Sequence, residues 1–152
     1  MTNDLNGREE RLLTPHEQRR WRRRREELEQ WLQRDKVRVR GKRLVQWREL
    51  TVDHELLPAL TELRRKGVET EYSCAGVSAL DEPLEHSLYA YVTIHASEAA
   101  DRYVELAIAR MRHRLCATYD PQRRIYDLSS MHVGYNRSFC TLLYRCARLL
   151  PH

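Results

Sequence analysis

The strongest pattern of apolar positions in the chain lies between Ser97 and Leu115. There Ala100, Tyr103, Val104, Ala107, Ile108, Met111 and Leu115 recur at i, i+3, i+4, i+7, i+8, i+11 and i+15. That is one face of an α-helix, and Ser97 stands where an N-cap belongs. Immediately before it, SLYAYVTIHA (Ser87 to Ala96) alternates with period two. Leu88, Ala90, Val92 and Ile94 share one face and Tyr89, Tyr91, Thr93 and His95 the other, which predicts a strand buried on its aliphatic side.

The same reading predicts a core strand over Leu44 to Val52 and a helix from Asp53 to Gly67 carrying Leu56, Leu57, Leu60 and Leu63. Pro58 makes its first turn irregular and Gly67 ends it. A strand follows over Val68 to Tyr72, then a loop from about Ser73 to Glu85. Arg124 to Tyr135 reads as a last strand or hairpin. Asn136 to Leu150 reads as a terminal helix with Phe139, Leu142, Leu143, Cys146 and Leu149 on one face. Residues 44 to 135 thus run strand, helix, strand, strand, helix, strand, the order of the split β-α-β-β-α-β unit. The expected fold class is α+β: a two-layer, ferredoxin-like antiparallel sheet covered by helices on one face, with an added N-terminal basic helix and a C-terminal helix.

Residues 1–13 are polar and aperiodic, and predict a flexible arm. Thr14-Pro15-His16-Glu17 reads as a capping box, with Thr14 as N-cap and Pro15 at the first helical position. The helix it opens should reach Arg34, with Trp21, Leu28, Trp31 and Leu32 as a narrow apolar stripe. KVRVRGK (Lys36 to Lys42) reads as a short strand or basic hairpin arm. The organisation expected is an N-terminal arm and helix over 1–43 and a core domain over 44–152.

Charge sharpens that division. The chain carries 27 Lys and Arg against 22 Asp and Glu, but residues 1–43 hold 14 basic and 8 acidic side chains, so the whole excess sits there. Nearly every cation is arginine; the only lysines are Lys36, Lys42 and Lys66. Arginine forks suit bidentate phosphate contacts and stack on rings, although an arginine-favouring codon usage gives the same composition. Six arginines also crowd the N-terminal half of the first helix, ahead of Glu26, Glu27 and Glu29, against the favourable dipole order. The leading expectation is a nucleic-acid-binding module. Arg19, Arg20, Arg22, Arg23, Arg24, Arg25, Arg38, Arg40, Lys42 and Arg43 would meet phosphates, and Tyr89 and Tyr91 would offer rings to bases. The competing reading puts both tyrosines beneath a terminal helix. A third possibility is a homodimer or other protein contact through the Trp21, Leu28, Trp31 and Leu32 stripe.

No apolar run is long enough for a membrane span and no signal peptide is visible, so the expected compartment is cytoplasmic, with reduced thiols. Cys74, Cys116, Cys140 and Cys146 include no C-x-x-C pair. His86, His95, His132 and Cys74 are metal-ligand types, yet without a template spacing no metal is expected, and the sequence identifies no particular cofactor, a nucleotide at the thiol loop being the one alternative.

The loop after the second core strand carries the enzymatic alternative. Thr70-x-x-Ser73-Cys74-x-Gly76 sets a hydroxyl, a thiol and a permissive backbone within one turn. Its amides could form an anion-binding nest, with Ser73, Cys74 and His86 as catalytic candidates acting on a small anionic substrate or a nucleotide. The other reading of Cys74 is an inert core thiol. Leu63, Gly67, Thr70, Ser73-Cys74-Ala75-Gly76 and Tyr91-Val92-Thr93-Ile94 resemble a group of small phage, Gram-positive and actinobacterial proteins sharing an L-x-x-x-G-[IV]-x-T-x-x-S-C-x-G … Y-[VI]-x-[FI] pattern. More distantly, the stretch is similar to the Thr-Thr-Ser-Ser-Cys-Ser-Gly-Arg run of the tRNA wybutosine-synthesis methyltransferases. Thr70, Ser73, Cys74 and Gly76 match that run. Ala75 and Val77 replace its Ser and Arg, removing a hydroxyl and a charge. The first resemblance implies a fold boundary, the second a tRNA-modification-like activity.

Overall fold

A computed structural model describes residues 10–33, 44–47, 50–77 and 87–152. Seven strands and four helices run in the order β1 (Arg11–Leu12), α1 (Gln18–Gln33), β2 (Leu44–Trp47), β3 (Leu50–Asp53), α2 (Leu57–Arg65), β4 (Thr70–Cys74), β5 (Tyr91–His95), α3 (Glu98–Met111), β6 (Leu115–Asp120), β7 (Ile125–Ser130) and α4 (Asn136–Leu149). The fold is mixed, with an antiparallel five-stranded sheet of order β1-β6-β7-β5-β4 and a separate β2-β3 ribbon.

The ferredoxin-like order is not found among these strands. Its first strand, expected over Leu44 to Val52, is instead two short strands paired with each other from Leu44↔Asp53 to Trp47↔Leu50. Only the polar pair Arg48-Glu49 separates them in sequence, a spacing suited to a hairpin. The neighbour of β5 opposite β4 is β7, itself paired with β6. Strand β6 falls where the helical period carried the expected helix on to Leu115. Arg112, at φ 52, breaks α3 first. Beyond it Leu115, Ala117 and Tyr119 alternate with Cys116, Thr118 and Asp120 in strand period. Residues Met131 to Tyr135, expected in a strand, contain a short 3-10 turn over Val133–Tyr135.

Other local signals are obeyed. Ser97 Oγ accepts from the Ala100 amide at 3.0 Å and caps α3. Gly67, at φ 82, lets Val68 N–H return to the Leu63 carbonyl at 2.9 Å, closing the C-terminus of α2. The Thr14 capping box does not form. Thr14 is buried, and its hydroxyl accepts from the Ala117 amide at 3.1 Å. Leu13 N–H meets the Ala117 carbonyl at 2.8 Å, so this end of the predicted arm is an edge strand on β6. Residues 1–9 and the expected 36–42 arm lie outside the described residues.

One face of the sheet holds the core. Val92, Ile94, Leu115, Ala117 and Leu128 pack with Leu60 and Leu63 of α2, Tyr103 and Ala107 of α3, and Phe139 and Leu143 of α4. Each large side chain fully buried here stabilises the fold by about 1.5–3 kcal/mol. Tyr103 remains satisfied at the centre by donating to the Leu143 carbonyl at 2.9 Å. Cys140 and Cys146 are buried in this core, as expected of filler thiols, and Cys74 and Cys116 are buried as well.

Asn136, at the start of α4, binds three segments together. Its Nδ2 donates to the carbonyls of Val77 at 2.6 Å and Leu88 at 3.0 Å, and its Oδ1 accepts from the Ala90 amide at 3.0 Å and from the Ser130 hydroxyl. Gly76, at φ 78, lies against this carboxamide: a Cβ there would sit 2.5 Å from Asn136 Nδ2 and 2.6 Å from Ala90 N. Among the described residues, Gly67 has nothing within 4 Å of its missing Cβ. Gly67→Ala should therefore lose about 1 kcal/mol, the left-handed penalty alone. Gly76→Ala should lose more than about 3 kcal/mol, because displacing Asn136 also strands buried backbone groups. Urea denaturation of the two variants makes the comparison.

Candidate nucleic-acid interface

Helix α1 docks through polar residues. Arg20, Trp21, Arg24, Glu27 and Trp31 are half-buried, whereas Leu28 and Leu32 are 42% and 69% exposed. Arg20, Arg24, Glu27 and Trp31, at i, i+4, i+7 and i+11, make one helical stripe, so the inward face is not the apolar one that hydrophobicity alone picks out. Arg24 donates to the Ser130 carbonyl and to Ser129 Oγ at 3.2 Å, and its guanidinium lies 4.0 Å from the Tyr89 ring centroid. The single Tyr89 O–H is shared between two acceptors, the Arg24 carbonyl at 2.9 Å and Glu27 Oε1 at 3.1 Å. Glu27 Oε1 also accepts from the Val133 amide at 3.3 Å. Burial, with Glu27 next, pushes the Tyr89 phenol well up.

Two histidines sit beneath this contact. His16 Nε2 donates to the Leu115 carbonyl at 2.9 Å, and among the described residues its buried Nδ1 has no hydrogen-bond partner. Burial depresses its pKa, the Leu115 carbonyl opposes that, and Arg20 and Arg24 depress it further. His132 is 1% exposed, with Nδ1 3.9 Å from Glu27 Oε1. An imidazolium there would gain Glu27, but burial together with Arg23, Arg20 and Arg24 outweighs that carboxylate and holds the pKa down to about 4.

With Arg24 turned inward and Arg20 half-buried, Arg19, Arg22, Arg23 and Arg25 remain exposed. Arg19 pairs with Glu17 at 2.8 Å, an exposed contact of little energetic weight. The fold adds a second basic segment that sequence reading missed. Arg112, His113 and Arg114 form an exposed 3-10 turn. The His113 pKa is depressed by burial, then by Arg20 of α1 and by Arg114, so the two segments share one field. Half-buried Tyr135 lies beside them, its ring centroid 5.8 Å from that of His113 and 5.6 Å from the Arg114 guanidinium. Three consecutive basic residues were a readable signal, but they fell inside a predicted helix, where basic residues in a last turn need no further explanation.

The other predicted site residues are placed differently. Tyr89 is 9% exposed with Arg24 against its ring, so it anchors α1 and offers no face to a base. Tyr91 is half-buried on the sheet face opposite the core, in register with Cys74 and Ser129. Its phenol is pushed up by burial, then by Cys74 and Asp127. On the same face Asp127 lies between Thr118 and Thr93, its carboxyl raised by burial and next by Glu10. His86, Arg38, Arg40, Lys42 and Arg43 lie outside the described residues.

In the thiol loop, Cys74 is buried and Ser73 is half-buried in β4. The expected nest is not open. Ala75 N–H donates to Asp53 Oδ2 at 2.6 Å, Gly76 N–H to Cys74 Sγ at 3.4 Å and Val77 N–H to the Leu88 carbonyl at 3.4 Å. Each of these three consecutive amides already has an acceptor within the chain. His95 faces Glu71 at 3.5 Å, at the end of β5 away from Cys74. Among the described residues no three His, Cys, Asp or Glu side chains converge to hold a metal, and no helix is long and apolar enough to cross a membrane. No protein-family model, curated protein or solved structure matches the chain.

The buried histidine makes stability depend on pH. Because the folded pKa of His132 lies near 4, below the ordinary 6.5, its contribution is complete above pH 6.5 and is lost as pH falls toward 4. Over that window the loss should approach about 3 kcal/mol. His132→Gln should flatten it, measured by urea titrations at pH 7 and pH 4.

Proposed function

We propose that the chain binds nucleic acid through the basic face formed by the outer side of α1 and the Arg112–Arg114 turn. The observation that carries this reading is the inward turn of Arg24. One arginine holds the helix to the sheet while Arg19, Arg22, Arg23 and Arg25 stay exposed, and Arg20 of the same helix is close enough to the Arg112–Arg114 turn to depress the His113 pKa. Gathering like charges from two distant segments opposes folding, and an anionic polymer relieves that repulsion. Guanidinium forks suit phosphate oxygens, and the position of the helix is fixed before binding. A cytoplasmic protein with four reduced thiols fits this reading.

If the six exposed arginines each meet a phosphate, log K against log salt should be linear, with slope about −5 on duplex and about −4 on single strands. Replacing Arg22, Arg23 and Arg25 by Gln should reduce the slope by about 2 to 3 and weaken binding evenly across sequences. Absence of binding to RNA and DNA at about 50 mM salt overturns the reading.

A second reading, self-association through α1, is favoured by the exposure of Leu28 and Leu32 on its flank. Light scattering should then give a dimer that Leu28→Glu with Leu32→Glu converts to a monomer. A monomeric wild-type protein removes this reading.

A further inference from the structure

Helix α3 and the β1-β6-β7 edge of the sheet line an open pocket of about 310 Å³ that includes no residue of the basic face. The volume suits a small ligand. One wall is aromatic: Tyr119 and Tyr126 are cross-strand partners whose ring centroids lie 4.9 Å apart at 45°. Leu13, Val104 and Ile108 supply apolar lining, and the charged lining groups are Arg11, Asp101 and Glu105. Among its described lining residues the pocket therefore combines an apolar interior with a net negative charge, in a protein that is net positive overall.

The acidic pair is not used up among the described residues. Asp101 Oδ1 accepts from Tyr126 OH at 2.6 Å, and that contact leaves the carboxylate its charge. Among the described residues neither Asp101 nor Glu105 has a cation within ion-pair distance. The two stand at i and i+4 on α3, where like charges weaken a helix. A ligand cation would relieve that repulsion. The tyrosine ring faces, negative through their quadrupoles, attract the same sign of charge.

We propose that this pocket binds a small organic cation, a primary ammonium carried on an apolar or aromatic body. The ammonium meets Asp101 and Glu105, and the body lies against Tyr119, Tyr126 and the aliphatic lining. Arg11 is a like charge at the same site and opposes binding. The site shares no residue with the basic face, and the proposal is independent of the nucleic-acid reading.

Phenethylamine, phenethyl alcohol and 3-phenylpropionate share one body and differ in charge, so calorimetric titration of the full chain with each is the test. Phenethylamine should bind saturably and at least about tenfold more tightly than the alcohol, with the carboxylate weakest. Asp101→Asn combined with Glu105→Gln should abolish the preference for the amine while leaving alcohol binding unchanged. Arg11→Ala should strengthen amine binding. Thermal melts of these variants, all at exposed positions, check that the fold persists. Equal affinity for the three compounds, no saturation by the amine up to about 10 mM, or an unchanged preference in the folded double variant overturns the proposal.

Discussion

The carboxamide of Asn136 is the contact on which the rest of the molecule is hung. It has two donor hydrogens and two acceptor lone pairs, and all four are used: on Val77, Leu88, Ala90 and the hydroxyl of Ser130. Through them the first turn of α4 is tied to the loop after β4, the approach to β5 and the end of β7. The amide is buried, so each bond operates without competition from water, and loss of any one leaves a desolvated group behind. The surface that receives α1 is built on the same knot. Tyr89 lies between Leu88 and Ala90, Ser129 beside Ser130, and Val133 three residues before Asn136.

Helix α1 illustrates how an element can be positioned without a hydrophobic seam. Its bonds run from guanidinium to carbonyl, from phenol to carboxylate and from amide to carboxylate, with Tyr89, Val77, Leu88, Trp31 and Val133 as a small apolar patch beneath. Such contacts are directional, so they fix the rotation of the helix more strictly than a greasy stripe does. They also require His16 and His132 to stay uncharged among arginines. Neutral buried imidazoles and outward-facing guanidiniums are thus two results of one arrangement.

Much of this was legible in the chain. The period-3.6 face of α3, the period-two strand β5, the Ser97 cap, the Gly67 stop and the terminal helix all follow from local rules that tertiary contacts left intact. In each failure a local signal is overruled, by a distant partner or by a turn of the backbone. Thr14 looks like a cap until Ala117 takes its hydroxyl. Leu115 fits a helical register until Arg112 turns the backbone, after which the same residue fits a strand. The Trp21, Leu28, Trp31 and Leu32 stripe obeys hydrophobicity, but Arg24 finds partners at the end of β7 and Glu27 at Tyr89 and Val133. For the candidate site, sequence supplied the arginine block and not the Arg112–Arg114 turn, since only the fold sets these segments side by side. It also credited the thiol loop with free amides that neighbouring acceptors occupy.

Arg112 holds φ 52, a left-handed backbone that disfavours side chains other than glycine. A glycine there would relax the turn by about 1 kcal/mol and at the same time delete a cation from the basic face. Stability and charge therefore pull against each other at a single codon. A search for hardened variants of this protein, run without regard to binding, should move first toward the substitution that leaves the basic face one charge poorer.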